Sequence, residues 1–202
     1  MTKIKLCGLF QKCDIEAANE LKPEYIGFVF AKKSTRYVSP EKAVRLKQLL
    51  ALDIKAVGVF VNEAPQTIAT LFRDGIIDIA QLHGGESENY IEQLRQLTEK
   101  PILKAFRIKT ASDMQHVEKC SADYILLDSG AGTGTAFDWK LIRNINRPYF
   151  LAGGLSPDNV ADAVARLHPF AVDVSSGIET DGVKDKTKMA AFVAAVRREE
   201  NL

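Results

Sequence analysis

The sequence predicts an α/β protein, a single (β/α)8 TIM barrel spanning residues 1–202 as one domain. Three observations predict it. Eight short apolar runs recur along the chain, segments of helical periodicity lie between them, and 202 residues is roughly the lower length limit for eight strand-helix units. An open doubly wound sheet would typically need fewer strands, or a G-x-G-x-x-G turn after the first strand with an acid about 20 residues on. The first turn here reads Gly8-Leu9-Phe10-Gln11 instead.

In order, the expected strands are Ile4–Cys7, Tyr25–Phe30, Lys55–Val61, Ile77–Leu82, Ile102–Arg107, Tyr124–Asp128, Tyr149–Ala152 and Ala171–Val174. Near-continuous apolar runs such as Ile125-Leu126-Leu127 suit strands covered on both faces. Helices are expected where apolar residues recur at i, i+3, i+4 and i+7, as in Val160, Ala163, Val164 and Leu167, and again in Met189, Phe192, Val193 and Val196. Ser39-Pro40 and Ser156-Pro157 each place an N-cap hydroxyl before a proline at the first helical position, and Asn62 is a candidate cap for the third helix. No linker, charge block or low-complexity run interrupts the series.

Composition narrows the function classes. At 46% hydrophobic and 26% charged the chain is ordinary for a globular protein, and a formal net charge of +1 provides no global field for nucleic acid or an anionic membrane. The first residues lack the apolar run of a signal peptide, and no later run is long enough to span a bilayer. The expectation is a cytoplasmic protein with neither nucleic-acid nor membrane partners. Cys7, Cys13 and Cys120 are an odd number at unrelated spacings, suggesting neither a disulfide framework nor a metal site, and a reducing compartment. A monomer is expected because no loop is long or unusually apolar, with a homodimer as the alternative.

In a barrel, functional residues belong at the C-terminal ends of strands and in the loops that follow. Asp128 ends the sixth strand among apolar neighbours, where partial desolvation raises a carboxyl pKa and suits it to act as an acid; a loop cap is the plainer reading. Cys7 ends the first strand, as a base or nucleophile, or as a small core hydrophobe. Arg36, in the basic loop Lys32-Lys33-Ser34-Thr35-Arg36-Tyr37, could grip a substrate carboxylate with two parallel hydrogen bonds. His83 could bind substrate or move a proton, or be a hydrogen-bonded structural histidine. After strands seven and eight, Gly153-Gly154 and Ser175-Ser176-Gly177 stand where barrels commonly bind phosphate through backbone N–H groups, so the ligand expected is a phosphorylated small molecule. The glycine-rich stretch after Asp128, with Gly132, Thr133 and Gly134, first suggests a phosphate cradle. Once the last two loops take that role, it reads as a flap over bound substrate.

Taken together, Lys5-Leu6-Cys7-Gly8, Ser34-Thr35-Arg36-Tyr37-Val38, Gln81-Leu82-His83-Gly84, Leu126-Leu127-Asp128, Gly132-Thr133-Gly134 with Phe137-Asp138-Trp139, Leu151-Ala152-Gly153-Gly154-Leu155 and Asp173-Val174-Ser175-Ser176-Gly177 closely resemble the phosphoribosylanthranilate isomerase family of tryptophan biosynthesis. The match runs in order over nearly the whole chain. The resemblance implies a cofactor-free and metal-free Amadori rearrangement of N-(5-phosphoribosyl)anthranilate. It also implies Asp128 as general acid, Cys7 as general base, Arg36 on the anthranilate carboxylate, Asp173 on the ribose hydroxyls, and the Gly153-Gly154 and Ser175-Ser176-Gly177 backbones on the phosphate. Departures from the family pattern are Leu9-Phe10 where Ile-Thr is common, Thr35 where proline is frequent, and Asp181-Gly182 where Pro-Gly is commoner; they bear on loop shape rather than on the catalytic groups. The other readings are a different phosphate-binding barrel isomerase or synthase of a related sugar phosphate, and a barrel that binds phosphosugars without catalysis.

Overall fold

A computed structural model describes residues 1–108, 110, 113–128, 142, 145 and 147–199. Eight parallel strands close into a barrel in sequential order: β1 (Lys3–Cys7), β2 (Tyr25–Val29), β3 (Lys55–Phe60), β4 (Ile79–Leu82), β5 (Ile102–Arg107), β6 (Tyr124–Asp128), β7 (Tyr149–Ala152) and β8 (Ala171–Val174). The seam is made by β8 pairing with β1, with Lys5 in register with Asp173. Around the barrel lie α1 (Lys12–Leu21), α2 (Pro40–Leu49), α3 (Pro65–Arg73), α4 (Glu88–Arg95), α5 (Asp113–Lys119), α6 (Val160–Leu167) and α7 (Lys186–Glu199). The expected barrel is the fold observed. Gly132, Thr133 and Gly134, and with them Phe137-Asp138-Trp139, lie outside the described residues.

Strand limits follow the apolar runs, with one clear shift. β4 begins at Ile79 rather than Ile77, because the Ile76 and Ile77 amides donate to Leu71 O and finish the α3 C-terminus. Two expected caps are also corrected. Ser39 does cap α2, its hydroxyl accepting from the Lys42 amide. Ser156, in contrast, opens a turn, and α6 starts after Asn159. Asn62 does not cap α3, whose N-cap is Ala64 followed by Pro65; its Oδ1 accepts from the Gly85 amide instead.

Strand alternation divides the core in two. Outward residues such as Ile4, Leu6, Ile26, Phe28, Ile125 and Leu127 pack under the helices. Inward residues form a separate cluster that includes Tyr25, Val57, Ile79, Leu103, Leu126 and Phe150. Near its lower end Tyr25 and Phe150 rings lie 5.5 Å apart, Tyr124 stacks on Phe170 at 5.4 Å, and Lys3 Nζ sits 4.5 Å over the Phe170 ring. The lower interior is thus filled by aromatic rings, which leaves polar chemistry to the upper end.

A short hairpin follows β8. A 3-10 turn over Ser176–Ile178 leads into β9 (Glu179–Thr180), antiparallel to β10 (Val183–Lys184), with Asp181-Gly182 between them. Both turn residues have positive φ, 52° and 79°, as a two-residue hairpin whose twist matches its strands requires. The Asp-Gly departure from the family pattern therefore preserves a tight turn, and the pairing sets Lys184 opposite Glu179.

Candidate active site

Parity along the strands decides what reaches the upper mouth. Above the aromatic layer the inward positions become Cys7 on β1, Gln81 on β4 with His83 just beyond it, Asp128 on β6, and Asp173 on β8 with Ser175 just beyond it. These residues, with Arg36, Gly153, Gly154 and Ser176, line one cavity of about 360 Å³. Cys7 and Asp128 end strands on different sides of it. Of the expected site residues that are described, Gly177 alone is not part of the lining.

Gly177 acts from behind. A Cβ there would lie 1.9 Å from Leu155 O, so only glycine lets the loop after β8 press against the loop after β7. In that partner loop Gly153 and Gly154 have φ of 90° and 66°. Asn159 fixes it from below, Oδ1 accepting from the Ser156 amide and Nδ2 donating to Gly154 O, both at 2.8 Å.

Cys7 is 7% exposed, and Gly27 on the neighbouring strand makes its position possible, since a Cβ there would stand 2.6 Å from Sγ. Burial pushes the thiol pKa up, Lys5 and Lys184 pull it back down, and Asp173 adds to the rise. Lys5 is fully buried and donates to Asp173 Oδ1 at 2.8 Å. Burial works against its ammonium, yet Asp173 and Cys7 hold its pKa above the ordinary lysine value.

Asp128 places Oδ2 3.5 Å from His83 Nε2. On the other side of that ring, Gln81 Nε2 lies 2.9 Å from Nδ1. With the amide donating to Nδ1, a neutral His83 carries its proton on Nε2, aimed at the Asp128 carboxylate. Gln81 is buried and its Oε1 has no hydrogen-bond partner among the described residues.

Arg36 is not a lone cation. Its Nε and Nη2 donate to the two carboxylate oxygens of Glu179, and this pairing holds the Arg36 pKa above its ordinary value. Lys184 Nζ meets the same carboxylate at 2.6 Å and Ser175 O at 2.9 Å, although burial leaves its own pKa below the usual lysine value. Burial opposes the Glu179 carboxylate, but the two cations together keep its pKa low.

Sequence reasoning missed Lys5, Gln81, Glu179 and Lys184. The first two carried a signal, each lying two residues before a chosen residue on the same inward parity. Glu179 and Lys184 are brought to the mouth by a hairpin whose pairing depends on the folded loop, so no spacing rule would have selected them.

A family model for N-(5'-phosphoribosyl)anthranilate (PRA) isomerase matches residues 4–195. The chain belongs to the phosphoribosylanthranilate isomerase family. A relative of that name from Endomicrobium trichonymphae is 45% identical over 202 residues, covering 98% of this chain and 99% of its own. One from Thermoanaerobacter sp. (strain X514) is 43% identical, covering 98% of both chains. Among solved structures, phosphoribosylanthranilate isomerase from Thermotoga maritima superposes with a TM-score of 0.89 at 35% identity, covering 98% of this chain and all of that one. Another structure of the family, a complex with reduced 1-(o-carboxyphenylamino)-1-deoxyribulose 5-phosphate, superposes with a TM-score of 0.87 at 35% identity, covering 98% of this chain. That ligand is a phosphorylated small molecule of the class expected for this family's cavity.

Proposed function

We propose that this barrel isomerises N-(5-phosphoribosyl)anthranilate to 1-(2-carboxyphenylamino)-1-deoxyribulose 5-phosphate, with Asp128 as general acid and Cys7 as general base. The observation that carries the reading is the placement of an acid on β6 and a thiol on β1 around one cavity, which is also lined by the Gly153-Gly154 and Ser175-Ser176 loops. An aldose-to-ketose isomerisation needs two such groups, since one proton goes to oxygen while another leaves carbon.

In the first step Asp128 gives its proton to the furanose ring oxygen. The C1–O bond breaks and the anilino nitrogen lone pair forms a C1=N iminium. Cys7, as thiolate, then takes the C2 proton; the C–H pair becomes C1=C2 and the C1=N pair returns to nitrogen, giving an enolamine. Tautomerisation to the ketone completes an internal redox change in which C2 is oxidised and C1 reduced, so the electrons balance within the substrate.

Each end of the substrate is assigned its own groups at the mouth. The Gly153-Gly154 and Ser175-Ser176 backbones, braced by Gly177, take the phosphate, and Arg36 takes the anthranilate carboxylate. Asp173 offers the ribose hydroxyls the oxygen that Lys5 does not hold, and His83 keeps Asp128 oriented. No helix among the described residues is long and apolar enough to cross a membrane. A thiolate base and three unbridged cysteines suit a reducing cytoplasm. We also infer a monomer, because the large exposed apolar side chains among the described residues are spread over the chain, with Val44, Leu49 and Leu52 on or just after α2 and Val61, Leu97 and Val183 elsewhere.

Loss of substrate fluorescence, followed with purified protein, tests the reading. Turnover that disappears in both Cys7→Ser and Asp128→Asn supports it, and turnover that survives in either variant removes that residue from its role.

A further inference from the structure

The chemistry above leaves a charged side chain inside the barrel without a task. Lys5 has no solvent exposure, yet it is an ammonium just above the apolar and aromatic side chains that fill the barrel interior. We infer that Lys5 is a positioning residue for the base: anchored by Asp173, its ammonium is the counter-cation that lets Cys7 work as a thiolate in a water-poor site. The inference rests on the assignment of Cys7 as base.

Geometry supports it first. Lys5 and Cys7 are two residues apart on β1, so their side chains leave the same inward face of the strand. Asp173 is the register partner of Lys5 across the β1–β8 seam and accepts its hydrogen bond at 2.8 Å. Lysine carries three donors and no acceptor, so a single bond to Asp173 leaves it capacity to face the thiol.

Charge balance agrees. The charged groups acting on Cys7 are Lys5 on its own strand, Asp173 on β8, Lys184 on β10 and Arg36 in the loop after β2. Arg36 and Lys184 are already committed to Glu179. Lys5 is the strongest influence opposing the effect of burial on the thiol, ahead of Lys184. Burial keeps the thiol above its ordinary pKa even so, and without Lys5 the thiolate fraction available to take the C2 proton falls further. Asp173 in turn keeps the ammonium charged, which links three residues on two strands of the wall in one chain of dependence.

The rival reading is a buried ion pair that only fastens β8 to β1. The two separate when the pH dependence of Cys7 alkylation by iodoacetamide is measured without substrate, following the Cys7 peptide by mass spectrometry so that exposed Cys13 does not interfere. In Lys5→Met the alkylation midpoint is expected to move up by about one pH unit or more, a tenfold loss of thiolate at neutral pH, and kcat/KM recovers as pH is raised. Should the buried Asp173 left behind prevent folding, the Lys5→Met/Asp173→Asn double variant removes both charges, and a smaller shift in the same direction is expected. A melting temperature that falls while the alkylation midpoint stays in place would overturn the counter-cation role. Because alkylation needs no turnover, that failure is distinct from failure of the base assignment, which retained activity in Cys7→Ser would reveal.

Discussion

Arg36 meets Glu179 edge to edge, Nε and Nη2 each donating to a separate carboxylate oxygen at 2.5 Å. This commits two of the five donors a guanidinium carries and holds its plane in one orientation. The Nη1 end remains to present to a ligand. Glu179 is therefore the residue that aims the proposed carboxylate clamp.

Removing that aim should appear in substrate capture. Glu179→Gln is expected to raise KM about tenfold with kcat little changed, and Arg36→Ala about 10²-fold, as for lost uniform binding. Steady-state kinetics decides it: a fall in kcat at constant KM would mean that Arg36 acts on the reacting atoms rather than on the carboxylate.

Loss of the acid or the base should do the reverse. Cys7→Ser and Asp128→Asn are each expected to cost about 10²-fold or more in kcat, the usual magnitude for proton-transfer groups, with circular dichroism and Tm close to the parent.

Gly177→Ala tests the packing of the two loops assigned to phosphate. The added methyl meets a backbone carbonyl, which has no rotamer by which to retreat. Loss of about 1–3 kcal/mol of stability is expected from overpacking, together with weaker inhibition by inorganic phosphate. Unfolding curves and phosphate inhibition measured on the same variant check both parts.

Stability against acid should depend on Glu86. Its carboxylate accepts from the Asn62 and Gly84 amides and from Lys104 Nζ, and both Glu86 and Lys104 are buried. Burial opposes the charged form, but these donors hold the folded pKa below the ordinary glutamate value. A depressed carboxylate contributes stability that is present above its unfolded pKa and is lost as pH falls through the folded one. Glu86→Gln should cost about 3–5 kcal/mol near neutrality, because Lys104 is left buried and unpaired, and flatten the acid side of a Tm-versus-pH curve. Parallel curves for parent and variant would refute this.

Much of the barrel was legible because most strands hold short apolar runs buried on both faces. Tyr124–Asp128 and Ala171–Val174 could be bounded from residues alone. Cys7, Asp128 and the last two loops were legible for a second reason: barrel topology converts the ends of strands into a ring, so position along the chain predicts position around the mouth; Asp173, inside β8, came only from the family resemblance. Ion pairing was not legible. Arg36 carries no sequence sign of its partner, which lies on a hairpin 143 residues further on, and Lys5 stands out only as part of a motif because a lysine in a strand ordinarily faces water. Ser156 shows the limit of local rules. Serine before proline fits a cap, but Asn159 competes for the same turn and begins the helix.

The ring-filled lower interior formed by Tyr25, Tyr124, Phe150 and Phe170 makes the cavity a cul-de-sac. Substrate and product must use one doorway, so a lingering ketose phosphate bars the next aldose from entering. Product inhibition should be strictly competitive, and the ceiling on throughput is then set by how fast the doorway clears.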